Sequence, residues 1–101
     1  MKKFREKVWA LLTKIPAGKV TTYREIARKL GKPNSSRAVG NACNANPKAP
    51  RVPCHRVVKS SGEVGGYAMG VKNKIERLES EGIRIRHGKV VEFRGLIFRF
   101  K

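Results

Sequence analysis

The chain is 101 residues long, enough for one modest hydrophobic core and too short for two. Its 24 Lys and Arg face 7 acidic residues, a formal net charge of +17 that attracts polyanions. Nucleic acid is therefore expected before an anionic membrane, because no strongly apolar amphipathic helix accompanies the charge. Two cysteines, no apolar run of transmembrane length and no signal-peptide pattern speak against a disulfide scaffold and a membrane span. The cytoplasm is the expected compartment.

Phe4, Val8, Leu11 and Leu12 fall at helical spacing, which predicts a core-facing helix over 4–13 with Trp9 packing at its edge. Pro16 and Gly18 then make a turn. Thr22-Tyr23-Arg24-Glu25 has the form of a capping box: Thr22 accepts from the Glu25 amide, and Glu25 reaches back to the Thr22 amide. Ile26, Ala27 and Leu30 continue that helix, and Gly31 closes it. Beyond a turn at Pro33, a second short helix starts at Ser35 or Ser36 and runs to Ala45. Two short helices joined tightly in so basic a chain read as a helix-turn-helix. The second is slim, with Ala38, Gly40, Ala42 and Ala45, and only Arg37 at its start is long. A slim helix can approach a backbone closely or enter a narrow groove, whereas a major-groove reader wants several long polar side chains.

The connector 46–53 holds three prolines and so can neither be a helix nor a flexible linker. It delivers Pro53-Cys54-His55-Arg56-Val57, a thiol beside an imidazole at the head of an apolar segment. On these residues alone two readings stand: a buried small hydrophobe next to a core histidine, or a nucleophile next to its partner. The glycine-rich stretch 60–67 lacks the lysine and serine of a phosphate loop. Val71, Ile75 and Leu78 predict a core-facing helix over 71–81, ended by Gly82. The alternation from Ile83 to Phe100, interrupted at His87-Gly88, predicts a small β-hairpin or ribbon. Cys43, Cys54, His55 and His87 offer no ligand pair at the usual metal spacing, so no metal and no cofactor are expected. The expected fold is α+β and mostly helical, a winged-helix or helix-turn-helix-like unit over residues 1–101 with a small C-terminal β-hairpin.

Three motifs, Ile15-Pro16-Ala17-Gly18-Lys19-Val20, Arg37-Ala38-Val39-Gly40 and Pro53-Cys54-His55-Arg56-Val57-Val58, join Tyr23, Asn46 and Glu81-Gly82 in a recognisable order. In combination they resemble the C-terminal catalytic domain of O6-alkylguanine-DNA alkyltransferases, over roughly residues 4–82. The resemblance implies that Cys54 accepts the alkyl group, that His55 takes the thiol proton through a water, and that Glu81 orients His55. It implies that Tyr23 donates to guanine N3 and that Asn46 braces the turn ahead of Cys54. It implies binding in the minor groove through Tyr23, Ser36, Arg37, Ala38, Gly40 and Asn41, with Arg37 filling the gap left by the lesion. Flipping is required, since a thiolate in a pocket cannot reach guanine O6 inside the stack.

Val57, Tyr67, Ala68 and Met69 would line the pocket of the flipped base, Met69 standing where relatives commonly have glycine. The partner implied is double-stranded DNA containing O6-alkylguanine, met by a monomer that transfers one methyl group irreversibly and is consumed. The family's usual additional N-terminal domain is not recognisable in this sequence. Two alternatives remain. One is a non-catalytic alkyltransferase-like lesion sensor, a group with Trp or Ala in place of the cysteine, to which the stretch from Ile83 onward is nearer in style. The other is a winged-helix regulator with an inert Cys54.

Overall fold

The apolar stripes become buried helix faces. The computed structural model describes residues 3–101; Met1 and Lys2 lie outside the described residues. Helix α1, Phe4–Leu12, buries Val8, Leu11 and Leu12, and Glu6 accepts from the Lys3 amide to close its first turn. Helix α2, Tyr23–Lys29, starts on Thr22, whose hydroxyl accepts from the Glu25 amide at 2.9 Å. Helix α3, Ser36–Asn44, follows a short turn and buries Val39, Ala42 and Cys43. It packs on both α1 and α2, and the Trp9 indole donates to the Ala42 carbonyl at 2.8 Å. Trp9 thus locks α1 to α3, and α2 with α3 forms the expected helix-turn-helix.

Two short strands bring distant segments together. Strand β1, Thr21–Thr22, pairs in parallel with β2, Val57–Val58, in the register Thr21 to Val57 and Thr22 to Val58. Because β1 runs straight into α2 and β2 follows Cys54, this pairing sets Tyr23 beside the Cys54 segment. One apolar cluster, including Val8, Leu12, Ile26, Val39, Cys54 and Val57, lies under the helices. A second, with Val20, Val58, Val64, Leu78 and Ile83, lies under helix α4, Val71–Ser80. The hairpin forms between β3, Ile85–Arg86, and β4, Lys89–Val90, with His87 and Gly88 both at positive φ in its tight turn. Among the described residues no helix is long and apolar enough to cross a membrane.

Three local expectations are corrected. The capping box forms only half: the Glu25 carboxylate turns away from Thr22 to Arg28 and to the Phe100 amide. A tail amide with no other partner is a stronger claim on that carboxylate than a helix-end amide. Val71 is 45% exposed, and α4 instead buries Lys74 beside Leu78. The ribbon stops at Val90: Glu92 adopts a left-handed backbone and Phe93–Leu96 coil into a helical turn, α5, whose Phe93 ring sits against Gly62. The tail beyond then runs beside Val20, with Val20 donating to Leu96 at 3.0 Å and Phe98 donating back to Val20 at 2.7 Å. It extends the β1 side of the molecule rather than the hairpin.

Candidate active site and nucleic-acid interface

Residues Cys54–Arg56 form a single 3-10 turn that starts on Pro53, and both Cys54 and His55 are buried. The loop feeding that turn is braced from within. Asn46 donates to the Val52 carbonyl at 2.6 Å and accepts from the Lys48 amide at 3.0 Å. One side chain therefore ties both ends of the proline connector, which fixes where Cys54 enters.

His55 is held from the far side by Glu81, the residue that ends α4, with Nε2 and Oε2 at 2.9 Å. Gly82, at φ 89°, lets the chain leave the helix there, a backbone state that glycine adopts without strain. A carboxylate only accepts, so the Nε2 nitrogen carries the proton and Nδ1 keeps its lone pair. That Nδ1 is buried and has no hydrogen-bond partner among the described residues. Burial draws His55 below its ordinary value of 6.5, more than the Glu81 carboxylate raises it. The ring is therefore neutral near pH 7 with a free basic nitrogen.

Glu81 is itself shared. Arg56 donates to it twice, at 3.0 and 2.7 Å, and reaches the Ile15 carbonyl at 2.6 Å with its remaining nitrogen. Burial alone would raise Glu81, but the hydrogen bonds from Arg56 and His55 outweigh it and hold the carboxyl below its ordinary value. The carboxylate thus stays charged while it orients the imidazole.

Across the site, Tyr23 opens α2 and is pushed up by burial, with Cys43 and Cys54 nearby adding to the shift. Its phenol keeps its proton. Gly65 passes over it so closely that a Cβ there would meet the Tyr23 hydroxyl at 3.4 Å, and Gly65 is at φ 74° besides. Lys74, fully buried on α4, donates to the Val57 carbonyl at 2.6 Å, to Gly66 at 3.1 Å and to the Tyr23 hydroxyl at 3.4 Å. The Tyr67 and His55 rings meet edge to face with centroids 6.5 Å apart, and the buried Tyr67 hydroxyl has no hydrogen-bond partner among the described residues. Ala68 and Met69 are exposed on the loop beyond it.

The slim helix separates its residues by face. Arg37, Ala38 and Asn41 are exposed, Ser36 and Gly40 are half-buried, and Val39, Ala42 and Cys43 look inward. A Cβ on Gly40 would stand 3.9 Å from the Tyr23 ring, so this helix also backs the site. Cys43 is pushed up to about 12, chiefly by burial, and is an inert core thiol.

The sequence-predicted residues Cys54, His55, Glu81, Tyr23, Val57 and Tyr67 thus converge, with Asn46 at the entry and Arg37 on the outer helix face. Two residues of the cluster were missed. Arg56 lies inside the motif, but nothing local says that it will meet Glu81. Lys74 carried a readable signal: it is three residues from Val71 and four from Leu78, on the apolar stripe itself. Among the described residues no group of three or more His, Cys, Asp or Glu is placed to hold a metal ion.

Comparison with known proteins bears on the same residues. Residues 3–83 match the family described as 6-O-methylguanine DNA methyltransferase, DNA binding domain. A methylated-DNA–protein-cysteine methyltransferase of Methanosarcina acetivorans is 49% identical over 78% of this chain and 51% of its own length. A crystal structure of Mycobacterium tuberculosis OGT in complex with DNA is 44% identical with a TM-score of 0.76, covering 80% of this chain and 50% of that one. S. pombe Atl1, solved in complex with damaged DNA containing O6-carboxymethylguanine, is 33% identical with a TM-score of 0.85, covering 99% of this chain and 100% of that one. The chain spans about half the length, or less, of the curated relatives it matches. With a helix-turn-helix packed on a buried Cys54-His55 turn and these matches over four-fifths of its length, the chain belongs to the 6-O-methylguanine DNA methyltransferase family.

Proposed function

We propose that this chain is the catalytic, DNA-binding unit of an alkyltransferase that moves a methyl group from O6-alkylguanine in duplex DNA onto Cys54. The reading gathers residues 1–101 into a single domain acting as a monomer in the cytoplasm. The observation that carries it is the imidazole of His55, fixed by Glu81 through Nε2 and leaving a buried, neutral Nδ1 beside the Cys54 turn.

The exposed face of α3, with Arg37, Ala38 and Asn41, lies against the minor groove with Ser36, Gly40 and Tyr23 at its edge. Arg37 enters as the lesion leaves the stack. The flipped guanine is received between Val57, Tyr67, Ala68 and Met69. His55 Nδ1 takes the Cys54 proton through a bridging water, while Glu81 stabilises the imidazolium that forms. Sulfur attacks the alkyl carbon in line, the carbon–O6 bond breaks, and its electron pair goes to guanine. The Tyr23 hydroxyl gives its proton to N3 as that charge develops, so guanine leaves neutral; solvent then reprotonates Tyr23 and takes the proton held by His55. The product is a thioether that water cannot reverse, and the protein acts once.

Atl1 favours a second reading, a lesion sensor without transfer, because it matches the whole chain, tail included, at the higher TM-score. The presence of Cys54 supports transfer instead. The test is incubation with duplex DNA containing O6-methylguanine, followed by peptide mass spectrometry. One methyl group is expected on the Cys54 peptide, and none with Cys54→Ser. Tight lesion binding with an unmodified Cys54 would replace transfer by sensing.

A further inference from the structure

A helix in the minor groove needs phosphate contacts to hold its register, and in protein–DNA complexes these commonly outnumber contacts to bases. The exposed face of α3 offers few: Arg37 enters the stack, and Ala38 and Asn41 carry no charge. A grip on the backbone has to come from beside that helix.

A cleft between α2 and the C-terminal tail has the chemistry for it. Its volume is about 370 Å³, and its walls include Arg24 and Arg28 of α2, Ser60 of the loop after β2, and Arg99 of the tail. Glu25 is the one acidic residue on it, so three guanidiniums against one carboxylate leave two positive charges in excess. That carboxylate is already engaged, by Arg28 at 2.9 and 2.7 Å and by the Phe100 amide at 2.9 Å. Arg24 and Arg99 are left to bind something else. Both are exposed; among the described residues Arg24 joins no ion pair, and Arg99 stands 3.8 Å from Glu25 with 72% of its side chain exposed.

The cleft also lies next to the site. Arg24 directly follows Tyr23, and Ser60 is two residues beyond β2, which pairs with β1 just ahead of Tyr23. The tail is fixed to the same helix, since Arg28 donates to the Phe100 carbonyl at 3.0 Å, and this sets Arg99 on the cleft with Arg24. The family match ends at residue 83, so Arg99 is no part of it.

We propose that this cleft takes a backbone phosphate of the duplex on the flank of the lesion, clasped between Arg24 and Arg99 with the Ser60 hydroxyl donating to the same group. Guanidinium donors are planar and paired, which suits phosphate oxygens. The C-terminal tail thereby joins the nucleic-acid interface beyond the helix-turn-helix. The inference rests on the duplex-binding part of the reading above and not on alkyl transfer.

The experiment measures affinity for an O6-methylguanine duplex across a range of salt concentrations, with the full chain as Cys54→Ser so that the lesion is not consumed. Arg24→Gln and Arg99→Gln should each weaken binding roughly tenfold, and the double variant should lower the slope of log affinity against log salt by about 1. A second arm locates the contact with duplexes in which one linkage at a time near the lesion is an uncharged methylphosphonate. One flanking linkage should cost the parent roughly tenfold and the double variant almost nothing, because the partners of that phosphate are already gone. With Cys54 restored, transfer from free O6-methylguanine should be unchanged in these variants, since no backbone is present. Melting curves should match the parent, both side chains being exposed. A double variant with the parent's salt slope, an Arg99→Gln that binds as the parent does, or no linkage whose neutralisation the double variant ignores would overturn the inference alone. An equal loss with the free base would do the same. Wild-type and Cys54→Ser chains that both fail to bind the duplex overturn it together with the DNA-binding reading, whereas duplex binding with an unmodified wild-type Cys54 removes transfer and leaves the phosphate site standing.

Discussion

Glu25 under the tail and Glu81 at the site each grip a guanidinium with both oxygens, Arg28 at 2.9 and 2.7 Å and Arg56 at 3.0 and 2.7 Å. Each then takes a third donor at 2.9 Å. For Glu25 it is the Phe100 amide, and for Glu81 it is His55 Nε2. Both carboxyls are held below their ordinary value by these partners. The difference lies in the third partner. A backbone amide cannot titrate, so Glu25 fastens the C-terminal tail, through the Phe100 amide and with Arg99 at 3.8 Å. An imidazole can, so Glu81 holds a ring whose other nitrogen, Nδ1, is buried and has no hydrogen-bond partner among the described residues. The same local chemistry therefore serves as a latch in one place and as an orienter in the other, according to what the third donor can do next.

Removing the carboxylate charge should break the two regions differently. Glu81→Gln should slow methyl transfer by roughly 10²-fold or more, because the imidazolium loses its stabilising charge and the ring its fixed tautomer. Single-turnover kinetics on a lesion duplex measure this, and a loss under threefold would reduce Glu81 to a structural ion pair.

Phe100→Ala should act on the latch alone. Its buried ring packs edge-on against Phe98, and losing it should lower stability by about 3 kcal/mol, read by thermal or urea unfolding. A variant as stable as the parent would mean the tail does not dock in solution.

Glu25→Gln should give the smallest loss, about 1–2 kcal/mol, since Arg28 is largely solvated and part of the pairing is screened. Transfer should be nearly unchanged. Its pH signature has a definite sign. A carboxyl lowered in the folded state stabilises above its unfolded value of 4.5, and that contribution is lost as pH falls through the lowered value. His55, also lowered, withdraws stability earlier, as pH falls below 6.5. Melting temperature against pH should thus decline in two stages, and Glu25→Gln should flatten only the more acidic one. A flattening above pH 5 would mean that the latch and the site are coupled.

Much of this was legible before any coordinates. The stripe Val8, Leu11, Leu12 predicted the buried face of α1, and the start at Ser35 or Ser36 predicted the short helix α3. Thr22 was read as a cap and is one. Its reciprocal Glu25 was misread, because a capping box assumes that the carboxylate has no better offer, and the Phe100 amide, 75 residues away, makes one. Lys74 was passed over since lysine normally ends in water, although its place on the stripe with Leu78 hinted otherwise. The stretch 91–100 alternates like a strand, yet alternation says only that one side is buried. It does not say which edge the chain will meet, and Val20 was already waiting with a free amide and carbonyl.

From the sequence alone came the helices α1 to α4, the cap at Thr22, the hairpin turn at His87-Gly88 and the adjacency of Cys54 and His55. These depend on residues within a few positions of one another, where periodicity and backbone preference decide. Only the tertiary structure decided that Glu81 is shared by His55 and Arg56, that Lys74 stands among three oxygens, and that the tail fastens to Glu25. Those outcomes rest on pairings between residues 8 to 75 positions apart. An apolar stripe reports that a face is covered, and only packing selects what covers it.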